Sequence, residues 1–246
     1  MKLRNVLVML AVGATAIAIA AVAFARSRGI SVSELAELGA GVVAARTSRH
    51  TIADRVTAIV AKKPQLKAVA KSSGGKLRIF VFKNERIVEL HAPGWKEPKK
   101  YPMTAFSGRL GPKLREGDGQ IPEGIYGIGY LNPNSSYYLS LKVTYPNASD
   151  RARAKKDGRT NLGGDIMIHG KAVTIGCVPV GDDAIEDIFY LANAVGIKNV
   201  SVVIAPYDMR IGRKSELERS PLKWYPDLCK EIESELEDNS KTLRSK

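Results

Sequence analysis

The chain has 246 residues, 44% hydrophobic and 26% charged, enough for one sizeable domain with appendages or two small ones, so most of it is expected to fold around a core. Its formal net charge of +13 suits nucleic acid, anionic lipid or an acidic cell-wall polymer as partner. The N-terminus decides among them: after the basic start Met1-Lys2-Leu3-Arg4, residues 5–25 carry no charge. As a helix this run is about 30 Å long, enough to span a bilayer. Ala23-Phe24-Ala25 fits a signal-peptidase pattern, so residues 1–28 read as a signal-anchor or a cleavable signal peptide. Its length favours the anchor, and Arg26 and Arg28 weigh the other way. Either way the remainder leaves the cytoplasm, which excludes nucleic acid as the partner.

Residues 29–73 read as a helical spacer of two or three short helices. Ser31 and Glu34 have capping-box spacing, and apolar positions recur at Leu35, Leu38, Val42, Ile52, Val56, Ile59, Val60, Leu66 and Val69. His50 reads as a surface residue. Ser72-Ser73-Gly74-Gly75 marks a boundary. A β-hairpin follows, Leu77–Phe82 returning over Arg86–His91, with His91 at an exposed strand end. Tyr101–Ser107 suggests another strand. Residues 108–124 form a Gly- and Pro-rich loop in which Lys113 and Arg115 are either solvated or a cleft wall that meets carboxylates. Strands are expected at Ile125–Leu131 and Tyr137–Val143, joined by a turn at Asn132-Pro133-Asn134-Ser135, and residues 148–162 read as a mobile loop.

The stretch GGDIMIHGKAVTIGCVPVGDD, residues 163–183, contains His169 and Cys177, one of three histidines and one of two cysteines. Ile166-Met167-Ile168 reads as a buried strand ending at His169, and Thr174–Val180 as a short strand or turn carrying Cys177. A tight return over Gly170–Val173 would bring the two together, as thiolate chemistry requires. Cys177, His169 and Asp165 have no recognisable zinc spacing, so no metal and no cofactor is expected. In an exported chain Cys177 and Cys229 could also pair as a disulfide. Asp182–Glu186 suggests a capping box opening an amphipathic helix that Gly196 ends. Val200–Ala205 is a last core strand, residues 207–221 a loop, and Trp224–Asp238 a terminal helix. The fold class is therefore α+β and β-rich, with one helix after the cysteine and helices at both ends.

Three blocks, GPKLREGDGQIPEGIY (111–126), NPNSSYYLSLKVTYPNASDRA (132–152) and IMIHGKAVTIGCVPVGDDAIEDIFYLA (166–192), resemble the L,D-transpeptidase family with its YkuD-type catalytic domain, and within it the YafK/DpaA-like branch of Gram-negative bacteria. The resemblance covers about residues 75–206, with a weaker echo at Pro221–Tyr225. The wider family carries Ser/Thr-His-Gly-Cys where this chain has Thr174-Ile175-Gly176-Cys177. The branch shares that departure. It has histidine where this chain has Tyr138.

The resemblance implies a β-sandwich or barrel catalytic domain at residues 74–208, followed by a C-terminal helical extension at 209–246. It implies that Cys177, activated by His169, attacks the L-centre carbonyl of meso-diaminopimelate in peptidoglycan stem peptides. Gly170 would orient the imidazole through its carbonyl. The amides of Gly176 and Cys177 would bind the oxyanion. Arg115, Tyr138 and Thr174 are taken as substrate contacts. The acyl group would pass to an amine, giving L,D-transpeptidation, or to water, releasing a D-amino acid or a peptidoglycan-linked lipoprotein. The place implied is the periplasm, with the N-terminal helix in the inner membrane. A catalytically inactive peptidoglycan-binding module is the alternative. A papain-like protease is excluded because it would place Cys ahead of His.

Overall fold

The computed structural model describes residues 49–212 and 220–244, with side chains to residue 238. The membrane segment, the Ser31–Glu34 capping box and any helix before residue 49 lie outside the described residues. Among the described residues, no helix is long and apolar enough to cross a membrane. The chain divides into two units, 1–49 and 50–246, and the second is the one described. Its elements are α1 (Ile52–Lys62), α2 (Leu66–Lys71), β1 (Leu77–Phe82), β2 (Ile87–His91), β3 (Lys99–Pro102), β4 (Gly124–Ser135), β5 (Tyr138–Val143), α3 (Ala148–Lys156), β6 (Met167–His169), β7 (Val178–Pro179), α4 (Asp182–Val195), β8 (Val200–Ala205) and α5 (Tyr225–Arg244).

The eight strands form one sheet in the order β3-β2-β1-β8-β4-β5-β6-β7. Pairing is antiparallel except for β1 with β8 and β6 with β7. The class is the expected β-rich α+β. The sequences LRIFVF and VSVVIA explain the centre of the sheet, because a strand apolar on both faces needs cover on both. Leu77, Ile79, Val81, Val202 and Ile204 enter a main core with Ile185, Ile188 and Phe189 of α4. Phe80, Phe82, Val203 and Ala205 enter a second core with Tyr225, Leu228, Ile232 and Leu236 of α5. The long strand β4 links the two ends of the sheet. Its start, Gly124–Gly127, pairs with β8, and the rest pairs with β5 through two register shifts.

The described part of the spacer packs on this unit. Thr51 and Asp54 form a capping box at the start of α1. Ile59 and Leu66 join the main core. Lys62 and Lys63 reach α4, with Nζ 2.9 Å from Glu186 Oε2 and 2.8 Å from Asp187 Oδ1 respectively.

Four local expectations are corrected. Residues 148–156 are helical, not a mobile loop, because Asn147 and Asp150 form a capping box; only Ala154 of that helix is buried, so no apolar stripe announces it. The expected turn at Asn132–Ser135 is strand, the chain turning only after it. The strand expected at Tyr101–Ser107 is the earlier Lys99–Pro102, paired with β2. The helix after the cysteine has Gly181 at its N-cap and no side-chain cap. Asp182 is instead taken by the Lys171 amide at 2.9 Å, and Glu186 by Lys62 and Tyr138.

Candidate active site

Register places Cys177 and His169 on one face of the sheet. β5 pairs Ser140 with His169, Leu141 with Ile168 and Lys142 with Met167. β6 pairs Ile168 with Val178 and His169 with Pro179, which sets Cys177 beside Met167. Leu141, Ile168 and Val178 are fully buried on the core face. Since side chains alternate, Lys142, Met167 and Cys177 share the opposite face with Ser140 and His169. The tight, hairpin-like return expected over Gly170–Val173 is corrected: β6 and β7 pair in parallel, with strand only at Val178–Pro179 and a turn before it.

The thiol is held by backbone. Cys177 Sγ lies 3.4 Å from the Asp165 carbonyl, to which it donates, and accepts from the Met167 amide at 3.4 Å. No disulfide joins Cys177 to Cys229, so the pairing that the sequence left open does not form. The imidazole is 1% exposed, and its Nδ1 lies 2.5 Å from the Gly170 carbonyl. A carbonyl has no proton to give, so Nδ1 carries the hydrogen and Nε2 keeps its lone pair. Tyr137 packs on the ring with centroids 4.6 Å apart. No hydrogen bond joins ring and thiol directly among the described residues.

Electrostatics keep both groups neutral at rest. Burial lowers the proton affinity of His169, and the Gly170 bond only partly offsets it. Burial pushes the Cys177 thiol up, against the pull of the Met167 amide and of the Lys142 and Lys113 charges, with Asp165 pushing the other way. Neutral thiol and neutral imidazole are the starting state of a general base, not of a preformed ion pair.

Two glycines fit backbone into tight places. A Cβ on Gly170 would lie 2.5 Å from Asp182 Oδ1 and 2.7 Å from the Tyr137 carbonyl. Gly176 has φ +128°, and a Cβ there would lie 2.9 Å from the Gln120 carbonyl. Thr174 closes the turn between them. Its hydroxyl accepts from the amides of Gly176 (3.1 Å) and Cys177 (2.8 Å) and donates to the Cys177 carbonyl (2.8 Å). The two amides expected to bind an oxyanion therefore face Thr174 Oγ1, and the threonine read as a substrate contact is committed to the loop.

Tyr138 points into a different network, with its hydroxyl 2.7 Å from Glu186 Oε1 and its ring under Arg55 and Lys171. Tyr137, which sequence reasoning did not select, covers the imidazole. Counting along β5 puts Tyr138 on the face of Ser140, but its backbone is left-handed, φ +76°, and the alternation breaks there. His91 is buried, not exposed, and bonds Glu89 at 2.8 Å on β2, with four strands between it and β6. His50 is half-buried, its amide bonded to Asn134 Oδ1.

The loop at 108–123 is built around Asp118. Its carboxylate accepts from Lys113 Nζ (2.6 Å) and the amides of Leu114 (2.8 Å), Arg115 (3.0 Å) and Gln120 (3.0 Å). This pins the loop against Gly176 and leaves Arg115 exposed on a cavity of about 790 Å³, shared with Arg109, Gln120 and Arg159. Among the described residues, no three His, Cys, Asp or Glu side chains are grouped to hold a metal.

Residues 76–204, more than half of the chain, match the family model of YkuD, the L,D-transpeptidase catalytic domain. The chain is 34% identical over 144 residues to the protein of Escherichia coli (strain K12) named as the L,D-transpeptidase YafK. That match takes in 56% of each protein, so it spans little more than half the length of this relative. Among solved structures, the helical cell shape determining protein Pgp2 of Campylobacter jejuni is similar at 18% identity and TM-score 0.43, over 72% of this chain and 77% of that one. An L,D-transpeptidase from Mycobacterium tuberculosis H37Rv is similar at 12% identity and TM-score 0.29, over 52% and 57%. These scores are too low to compare parts of the fold. The matched segment holds His169, Cys177 and the strands that align them, and the chain belongs to the YkuD family of L,D-transpeptidase catalytic domains.

Proposed function

We propose that this chain is a peptidoglycan-modifying acyltransferase or amidase with Cys177 as nucleophile and His169 as general base. The observation that carries the reading is the His169 ring held by the Gly170 carbonyl on the sheet face that also bears the Cys177 thiol. In this reading Nε2 takes the proton from Sγ as Sγ attacks the L-centre carbonyl of meso-diaminopimelate in a stem peptide. The tetrahedral oxyanion collapses, the C–N bond breaks, and the leaving amine takes the proton back from the imidazolium. The thioester then passes its acyl group to an amine or to water, and the thiol is regenerated. The amides of Gly176 and Cys177 serve the oxyanion once Thr174 Oγ1 releases them. Arg115, on the wall of the cavity it shares with Gln120, contacts the anionic peptide, while Tyr138 shapes the site through Glu186. Family membership and the likeness to YafK support a cell-wall substrate. A periplasmic place, an inner-membrane anchor at residues 1–28 and a peptidoglycan-linked lipoprotein as substrate belong to the same proposal. So does the division into a 29–73 spacer, a 74–208 catalytic domain and a 209–246 extension.

The test is mass spectrometry of digested peptidoglycan after incubation with the purified chain and with Cys177→Ala, using sacculi with and without bound lipoprotein. New diaminopimelate–diaminopimelate links that the variant does not make identify a transpeptidase. Released lipoprotein or shortened stems, also absent with the variant, identify a hydrolase. Identical products from both proteins would sink the enzymatic reading in favour of a binding module.

A further inference from the structure

A cation sits beside the nucleophile that neither the motif nor the family resemblance names. Lys142 lies on β5 opposite Met167, and Met167 lies beside Cys177. Its Nζ donates to the carbonyls of Val143 (2.9 Å), Tyr145 (3.3 Å) and Gly164. Three acceptors satisfy the three N–H groups of an ammonium. The next carbonyl along the chain, that of Asp165, takes the Cys177 S–H. Ammonium and thiol therefore hang from adjacent carbonyls of one loop, on the same face of the sheet.

Four charged or titratable groups face this thiol: Lys142 from β5, His169 from β6, Lys113 from the 108–123 loop, and Asp165 from the segment before β6. The Lys113 charge is consumed by Asp118, 2.6 Å away. Lys142 has only carbonyls as hydrogen-bond partners, and the Asp165 carboxylate acts on both it and the thiol through space without bonding the ammonium. Held rigidly and half-buried, it acts on the sulfur with less solvent screening than a surface lysine would.

We propose that Lys142 is a positioning residue for the nucleophile, its ammonium fixed on the Gly164 carbonyl so that a positive charge faces the Cys177 sulfur when the thiol gives up its proton. Burial disfavours the thiolate, and Lys142 partly restores it. The motif supplies the base, and β5 supplies the counter-charge. The proposal rests on Cys177 as the nucleophile.

The test is the pH dependence of Cys177 alkylation by iodoacetamide in the full chain without peptidoglycan, followed by peptide mapping so that Cys229 is counted separately. Lys142→Gln keeps a hydrogen-bond donor and removes the charge. Its alkylation midpoint should rise by about one unit, leaving about tenfold less thiolate at neutral pH. Lys142→Arg keeps the charge and should restore the wild-type midpoint, with Lys142→Met as a second neutral variant. An unchanged midpoint in either neutral variant, or loss of folding in both, would assign Lys142 to structure alone and overturn the proposal. If the midpoint shifts as expected while the wild-type chain leaves sacculi untouched, the peptidoglycan reading falls and the lysine–thiol pairing stands.

Discussion

Two buried histidines of the same sheet were given opposite surroundings. His91, on β2, is 2% exposed, and His169, on β6, is 1% exposed. Each stacks on an aromatic ring with centroids 4.6 Å apart, His91 on Phe80 and His169 on Tyr137. His91 is tied to a carboxylate, Glu89, which also holds Lys100 and Arg210. His169 is tied only to a neutral carbonyl. A carboxylate places a full negative charge beside the ring, whereas a neutral carbonyl only fixes the ring's orientation and tautomer. The β2–β3 end of the sheet, with Arg210 from the segment after β8, is thus cross-linked by charge. At the other end the His169 ring and the Cys177 thiol are held by backbone bonds, with no carboxylate bonded to either.

The largest effect should come from exchanging the roles of these histidines. His169→Ala should lower turnover by about 10³-fold or more, the range for removing a general base. His91→Phe should leave turnover of the folded protein within about twofold while lowering its melting temperature. Turnover on sacculi and thermal unfolding, measured on both variants, check the contrast; equal losses of turnover would erase it.

Next comes the aim of the ring. Gly170→Ala puts a Cβ against Asp182 Oδ1 and the Tyr137 carbonyl, so the carbonyl that orients His169 must shift. A displacement near 1 Å should cost about 10²-fold in turnover. A crystal structure of the variant with the ring unmoved and turnover unchanged would contradict this.

The charged end should answer in stability. Burial pushes the Glu89 carboxyl up, but its bonds to His91, Lys100 and Arg210 win and bring it down to about 2. A carboxyl depressed in the folded state stabilises above its ordinary value and loses that contribution as pH falls through the folded one. Stability from Glu89 should therefore fade between about pH 4.5 and 2. Glu89→Gln, which breaks a buried ion cluster, should cost about 3 kcal/mol at neutral pH in urea unfolding.

The neutral end should answer at milder acidity. His169 takes a proton less readily folded than unfolded, so the unfolded chain binds it first as pH falls from the ordinary histidine range. That contribution to stability is present at neutral pH and is lost on acidification. For the same reason the acid limb of kcat/KM should lie below the ordinary histidine range. A limb above it would mean that a charged partner, absent from the described site, holds the ring. The smallest effect should be Tyr137→Leu, about threefold in turnover, from the loss of one ring-on-ring contact.

Much of this was legible in the chain. Continuous apolar runs such as LRIFVF mark strands buried on both faces. Gly176-Cys177 and His169-Gly170 marked a candidate pair because glycine beside a reactive side chain leaves room for backbone approach, and the three family-like blocks singled the pair out. α3 was not read from periodicity because its helix-forming residues carry no apolar stripe, although Asn147 and Asp150 did carry its capping signal. Other features depend on which strands become neighbours. Lys142 shares a sheet face with the thiol only because β5 and β7 flank β6, and His91 is buried beside Glu89, on which Lys100 and Arg210 converge. Tyr137 replaces Tyr138 over the imidazole because one left-handed residue breaks the alternation of β5. Local pattern follows from neighbours in the chain, and it determined the strands, the glycines and the choice of Cys177 and His169 as the candidate pair. Charge partners and ring contacts follow from neighbours in space, and they exist only once the sheet order and register are set.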